Sequence, residues 1–274
     1  PSNKNQYKTK NGWKNFTDIV ETIKIKNMPD VIEQIRITDH GPVISGIIDL
    51  GDVAECVAMK WIGMRPVAEI SALLKLDASR NWNDFLAALE QFETPAQNVL
   101  YADTEGNIGY CLAGKIPLRT KKSNMLALSG GATGEYEWNG YLDFSQNPKE
   151  YNPKRHYIVS ANNKPSETPF ITDMFAPPDR AMRLEKLLKS KERFSFDDFK
   201  AMQADTVLMR AKDIKKMVLD AFPDSLDAGA VDSAMSRLWP WNYRVSALSP
   251  GAAVYEVFCE KMMENIFKDE MGDE

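Results

Sequence analysis

A β-hairpin near the middle of the chain is the feature that most limits what this sequence can fold into. Apolar runs at 99–102 and 108–113 have strand length, and the residues between them, Asp103–Asn107, are typical of turns. The hairpin predicts antiparallel pairing at the centre of the fold. A calcium loop is the alternative for this acidic turn, but the turn has too few carboxylates at EF-hand spacing, so a plain turn is the better interpretation.

Hydrophobic periodicity predicts a strand-rich part followed by a helical part. Alternating or continuous apolar runs predict half-buried or buried strands at 16–26, 31–38, 43–48 and 53–61. After Pro177 most apolar residues recur at helical spacing. The sequence therefore predicts an α+β fold with antiparallel strands, divided into a strand-rich part at 1–176 and a helical subdomain at 177–274.

The sequence predicts three local features of the helices: a helical pair, a capping box and a surface pair. A helical pair is predicted at 66–92, and its first helix has an apolar face made of Val67, Ile70, Leu73 and Leu74. Ser195 and Asp198 have the spacing of a capping box, which marks a helix N-terminus. Gln203 and Asp205 are interpreted as a pair on a helix surface.

Composition excludes several classes of protein. The 274 residues carry a formal net charge of -5 with Lys and Arg scattered along the chain, so no nucleic-acid partner is predicted. No apolar run is long enough to span a bilayer, and no membrane contact is predicted. Cys56, Cys111 and Cys259 are far apart and lie among apolar residues, which predicts buried free thiols rather than a disulfide or a metal site.

Short polar and aromatic motifs follow one another in a fixed order around the hairpin. They are PAQNVLYADTEGNIGY at 95–110, GKIPLR at 114–119, GEYEWNG at 134–140, NPKEYNP at 147–153, SANN at 160–163 and DR at 179–180. This order resembles the β subunit of the penicillin acylase (penicillin amidase) family of N-terminal-nucleophile hydrolases, over most of the chain. The resemblance implies a central fragment of an αββα hydrolase fold.

The resemblance also implies a reaction and partners. Family members cleave a linear or β-lactam side-chain amide through an acyl-enzyme, a reaction linked to antibiotic production. Their nucleophile is a serine that self-cleavage of a zymogen exposes at the β-chain N-terminus, where its own amine is the base. This sequence begins at Pro1, so that serine, the α subunit and the remaining β-subunit segments are expected outside it. The chain alone is expected to be inactive, and a small amide is the expected substrate.

Three residues are candidates for the site on this resemblance. The family's oxyanion-hole asparagine falls at Asn162, and an arginine that the family keeps beside its active site falls at Arg180. From the residues alone, Asn162 also fits an ordinary turn and Arg180 a surface position in a first helical turn. A calcium-binding aspartate falls at Asp173, although calcium needs six to eight oxygens and the other ligands are expected mostly outside this chain.

A non-catalytic binding module is the alternative interpretation. Aromatic residues cluster at 134–141, where they offer a surface for a peptide or an acyl chain. Packing is the commoner role for such residues, and the sequence leaves both roles open for Tyr136, Trp138 and Tyr141.

Overall fold

The computed structural model describes residues 3–48, 56–120, 128–221 and 229–271. The chain forms two compact units, Pro1–Ile158 with Pro165–Phe175 and Val159–Lys164 with Ala176–Glu274. The strands are β1 (Gln6–Thr9), β2 (Gly12–Asn15), β3 (Thr17–Ile23), β4 (Val31–Thr38), β5 (Gly41–Pro42), β6 (Gln97–Ala102), β7 (Ile108–Ala113), β8 (Pro117–Arg119), β9 (Trp138–Tyr141) and β10 (Lys149–Tyr151). The helices are α1 (Glu69–Asp77), α2 (Trp82–Leu89), α3 (Asp179–Leu188), α4 (Phe196–Gln203), α5 (Ala211–Ala221), α6 (Ala230–Leu238) and α7 (Pro250–Met271).

The predicted class is confirmed, because helices are combined with small sheets whose paired strands run antiparallel. The central sheet of the first unit has the strand order β10-β7-β6. Its β6–β7 hairpin is the one that the sequence predicts. The Asp103 carboxylate accepts hydrogen bonds from the backbone N–H groups of Glu105 (3.0 Å) and Asn107 (2.9 Å), and Gly106 adopts a φ of 90°. These contacts close the turn, which fits the plain-turn interpretation.

Strand β7 has apolar packing on both of its faces, because successive side chains point to opposite sides of a sheet. Cys111 and Ala113 pack with Phe85 and Leu89 of α2 in one buried cluster. Tyr110 and Leu112 point the other way and form a second cluster with Ile116. Strand β7 is thus buried between two apolar clusters, whereas β6, its partner in the hairpin, is exposed or half-buried.

The hairpin β3–β4 departs from the prediction of half-buried strands. Its strands pair from Thr17↔Ile37 to Ile23↔Val31, but every residue of β3 is exposed. Alternation predicts one buried face, whereas Ile19 and Ile23 on that face keep 42% and 51% of their accessible surface. The predicted strand at 43–48 is also wrong, since Val43 makes only an isolated bridge with Ala58. Part of the strand predicted at 53–61 lies outside the described residues.

Two further predictions of burial fail in the first unit. In α1 the buried residue is Ala72, whereas the predicted apolar face is exposed and Ile70 retains 76% of its accessible surface. The helix is therefore rotated so that the side with Ala72 faces inward. Cys56 is exposed, whereas Cys111 is buried and Cys259 is partly buried, so the prediction of three buried thiols holds fully only for Cys111.

The second unit contains the helices α3 to α7. Its core is a cluster made of Ala211, Val218, Leu238, Trp241, Ala252 and Tyr255. Helix α4 begins with the predicted capping box: Ser195 Oγ accepts from Asp198 N (3.2 Å), and the Asp198 carboxylate accepts from Ser195 N (2.9 Å). Helix α6 was not predicted from the sequence. Across the described parts of the chain, no helix combines the length and apolar character that crossing a membrane requires.

Candidate functional site

Asn162 lies in a loop of the second unit with a constrained backbone. Its φ is 59°, in the left-handed region that asparagine tolerates better than most residues. The backbone N–H of Ala176 donates to the Asn162 carbonyl oxygen at 2.9 Å. The preceding Ala161 is buried, while the Asn162 side chain is exposed. The loop thus anchors the backbone and leaves the side-chain amide accessible.

Arg180, in the first turn of α3, holds the Asn162 side chain. Its Nη2 donates to Asn162 Oδ1 at 2.9 Å and to the carbonyl oxygen of Ala161 at 2.6 Å. A guanidinium has only donors, so the amide atom facing it must be the oxygen. The Asn162 NH2 group therefore points away from Arg180, and no residue in the described ranges accepts a hydrogen bond from it.

Asn163 has a different role, although it is the same residue type one position later. Its Oδ1 accepts from the backbone N–H of Ala161 at 3.0 Å, and its Nδ2 donates to the Lys164 carbonyl oxygen at 3.3 Å. Both ends of this amide are engaged by backbone. Of the two asparagines, only Asn162 has an NH2 group that donates to no residue in the described part of the chain.

Helix α3 is fixed to the second unit by an ion pair that the sequence prediction missed. Arg183 Nε and Nη2 donate to the two carboxylate oxygens of Asp205, both at 2.7 Å. The Asp205 side chain is only 9% exposed, so the prediction of a helix-surface pair is wrong for this residue. Hydrogen bonds from Arg183 hold the pKa of Asp205 below its ordinary value of 3.8, and Asp205 raises the pKa of Arg183. In the sequence, this ion pair is indicated only by the acidic residue type of Asp205, just after α4.

Asp173 belongs to the first unit and is exposed. The positive charge of Arg119 interacts favourably with it, while burial lowers the pKa of Arg119. No group of three His, Cys, Asp or Glu residues suited to a metal occurs among the described residues. One carboxylate beside a guanidinium does not meet the six to eight oxygens that calcium takes, so the described residues do not form a calcium site by themselves.

The aromatic segment at 134–141 is covered by this chain's own cations. Lys60 Nζ lies 5.2 Å and Arg119 Cζ 5.9 Å from the Trp138 ring centre. The Tyr141 ring is approached by Arg65 Cζ (5.1 Å) and Lys115 Nζ (5.4 Å). Cation–π contacts of this kind occupy the ring faces that a peptide or acyl chain would use. The structure therefore gives these two rings an intramolecular role.

Comparison with known proteins shows the family of this chain. The sequence profile of the penicillin amidase family matches residues 1–274. The chain belongs to the penicillin amidase family. It is 27% identical to acyl-homoserine lactone acylase QuiP from Pseudomonas fluorescens over 98% of this chain, and 30% identical to penicillin G acylase from Escherichia coli over 68% of it. A solved structure, thermostable penicillin G acylase from Alcaligenes faecalis, superposes with a TM-score of 0.77 at 24% identity, covering 100% of this chain and 50% of the other.

Membership of the penicillin amidase family confirms the resemblance, and the superposition shows the N-terminal-nucleophile fold that the resemblance implies. The chain spans 35% of the length of the Pseudomonas fluorescens relative and 22% of the Escherichia coli one. Relatives named as penicillin acylases and as acyl-homoserine lactone acylases both match. Acylases of two named kinds are thus among the relatives that this chain resembles.

Proposed function

We propose that this chain supplies the side-chain oxyanion donor of an amide hydrolase that works through an acyl-enzyme. Asn162 is the catalytic donor in this proposal, and Arg180 is the residue that positions it. The observation that carries the proposal is the 2.9 Å hydrogen bond from Arg180 Nη2 to Asn162 Oδ1, because it turns the NH2 group of an exposed amide outward. An outward donor on an anchored loop is the geometry that stabilises a developing oxyanion.

The chemistry follows from where charge develops. When a nucleophile attacks an amide carbonyl carbon, the C=O π electrons move onto oxygen and form a tetrahedral oxyanion. The Asn162 NH2 group donates a hydrogen bond to that oxygen, and its alignment is already set by Arg180 before substrate binds. The arginine charge also polarises the Asn162 amide, which makes its N–H a stronger donor. Removing one donor from such a site typically lowers kcat by about 10²- to 10³-fold.

The nucleophile in this proposal comes from another part of the whole protein, as a serine whose own α-amine is the base. Because the chain itself lacks this nucleophile in the proposal, the 274-residue chain alone is expected to hydrolyse no amide at a measurable rate. Purified chain is incubated with a chromogenic phenylacetyl amide and with a long-chain acyl-homoserine lactone, beside a whole penicillin amidase as positive control. Turnover by the chain alone, lost on Asn162→Ala, would show that the nucleophile lies within these residues.

The role of Asn162 is tested in a whole protein that contains this chain. We expect Asn162→Ala to lower kcat by about 10²- to 10³-fold with little change in KM, since the donor acts on the transition state. Asn163→Ala is the matched control, because its amide is bound to backbone at both ends. It is expected to change kcat by less than about tenfold. Equal losses for the two variants would assign the effect to loop structure rather than to oxyanion binding.

We further propose that Asp173 is one carboxylate ligand of a calcium ion whose other ligands lie outside the described residues. Support comes from its exposure and from the position of Asp173 in the family pattern. In the whole protein, calcium is expected to raise the thermal midpoint, and Asp173→Asn is expected to weaken that shift. A calcium-dependent rise that is identical in wild type and variant would remove Asp173 from the site.

A non-catalytic binding module remains the second candidate for the isolated chain, and the geometry favours it less. The rings of Trp138 and Tyr141 already carry cations on their faces. Binding of phenylacetate or decanoate to the 274-residue chain, lost on Trp138→Ala, would support the module. We expect no such binding.

A further inference from the structure

The hairpin β3–β4 carries a patterned surface that the proposed function does not use. On one side of the hairpin the register stacks three cross-strand pairs in a row, Ile19↔Ile35, Glu21↔Glu33 and Ile23↔Val31. Residues two apart along a strand share a face, so these six side chains form one surface. We call it the Ile–Glu–Ile face. Ile19, Ile23 and Val31 keep 42%, 51% and 38% of their accessible surface.

The central pair of this face is electrostatically unfavourable as it stands. Glu21 and Glu33 are directly opposite each other, and like charges in that position destabilise a pair of strands. Neither carboxylate makes a hydrogen bond or an ion pair with any residue in the described ranges. By contrast, the opposite side of the hairpin pairs Asp18 with Arg36, which are of opposite charge. The two glutamates therefore concentrate unpaired negative charge between two exposed aliphatic pairs.

We propose that the Ile–Glu–Ile face is a docking surface for an extended polypeptide segment in which one arginine lies between two aliphatic residues. Directly opposed side chains have Cβ atoms about 4.5–5.5 Å apart, so a single guanidinium with five donors can bind both carboxylates. Aliphatic pairs lie on either side of the carboxylates at a spacing of two residues, about 6.6 Å along the strands. The complementary segment has the pattern aliphatic–any–Arg–any–aliphatic, with all three side chains on one side.

Other occupants fit the face less well. A second copy of this face would bring four glutamates together, and an anionic lipid surface or a nucleic acid would also meet like charge. A purely aliphatic segment would cover the isoleucines but bury two unpaired carboxylates, which is costly. Arginine is preferred over lysine because its planar fork matches two carboxylates at once.

The test uses the 274-residue chain, labelled at isoleucine δ1 methyl groups, and two synthetic peptides. One is acetyl-Thr-Val-Thr-Arg-Thr-Val-Thr-amide, and the other carries glutamate in place of the arginine. At low salt the arginine peptide is expected to shift the methyl signals of Ile19 and Ile23 and to bind at least tenfold more tightly than the glutamate peptide. The methyl signal of Ile70, an exposed isoleucine on α1, is expected not to move and is the internal control.

Charge variants of the two glutamates decide the outcome. The Glu21→Gln, Glu33→Gln double variant is expected to reduce the preference for the arginine peptide to less than about twofold, and the corresponding double Lys variant to reverse it. Neutralisation also relieves the like-charge contact, so the thermal midpoint of the chain is expected to rise by about 1–2 °C, which confirms that the variant folds. The proposal would be overturned if both peptides bound equally or if neither shifted the methyl signals. It would also be overturned if the preference for arginine survived neutralisation of the two glutamates, or if raising the protein concentration alone caused the shifts.

Discussion

The ion pair between Arg183 and Asp205 gives the sharpest stability prediction. Asp205→Ala removes two 2.7 Å hydrogen bonds and leaves Arg183, whose side chain is 18% exposed, without its carboxylate. It also removes the acceptor of the Val207 N–H, at 3.2 Å. Breaking a fully buried pair by removing one partner costs ~3–5 kcal/mol. Because Arg183 keeps some contact with water, we expect the free energy of unfolding to fall by about 2–3 kcal/mol.

The assay is urea unfolding of the 274-residue chain, followed by circular dichroism at the helical band. Glu185→Ala is the matched control, because Glu185 of α3 pairs with Lys189, which caps the C-terminus of that helix, but both side chains are about half exposed. Exposed pairs at this spacing contribute about 0.3–0.5 kcal/mol, so the control is expected to change stability by no more than that. Equal losses for Asp205→Ala and Glu185→Ala would refute the claim that burial makes the Asp205 pair important for holding α3.

Three further predictions concern packing, pH and capping. Gly109→Ala is expected to destabilise the chain by ~1–3 kcal/mol in urea unfolding, because a Cβ there would lie 2.3 Å from the Trp82 ring. Gly46→Ala is the control and is expected to be nearly neutral, because a Cβ at Gly46 meets no atom within 4 Å. The pKa of Asp205 is lowered by folding, so its stabilisation is present above about pH 4 and is lost as the pH falls through the folded-state pKa. Between about pH 5 and pH 2 the Asp205→Asn variant is therefore expected to lose less thermal stability than wild type; an identical pH profile would contradict this. Asn81→Ala is expected to cost ~1 kcal/mol, measured in the same way, because Asn81 caps α2 by accepting from Asp84 N.

Local signals in the sequence predicted the structure where the contacts themselves are local. The hairpin around Asp103 and the capping box at Ser195 are closed by residues within five positions of one another, and both are present. Burial was predicted less well, because it depends on what packs against an element. Alternation in β3 and helical spacing in α1 both predict an inward apolar face, and in both elements the residues of that predicted face are exposed.

In the candidate site, too, contacts between residues far apart in the sequence could not be predicted from local patterns. Residue types alone left Asn162 ambiguous between a turn and an oxyanion donor, and only the resemblance to a family singled it out. The contact that gives it a defined orientation joins residues 18 positions apart, Arg180 and Asn162, and no periodicity predicts such a contact. The Arg183–Asp205 pair spans 22 positions and was missed for the same reason.

The central claim is that Arg180 acts by orienting Asn162, and a double-mutant cycle in kcat tests it most directly. In a whole protein that contains this chain, kcat is measured for Arg180→Ala, Asn162→Ala and the double variant. Arg180→Ala is expected to lower kcat by about tenfold or more in the wild-type background and by less than about threefold once Asn162 is gone, because its effect passes through that residue. Fully multiplicative losses would contradict the account, since the two residues would then act independently.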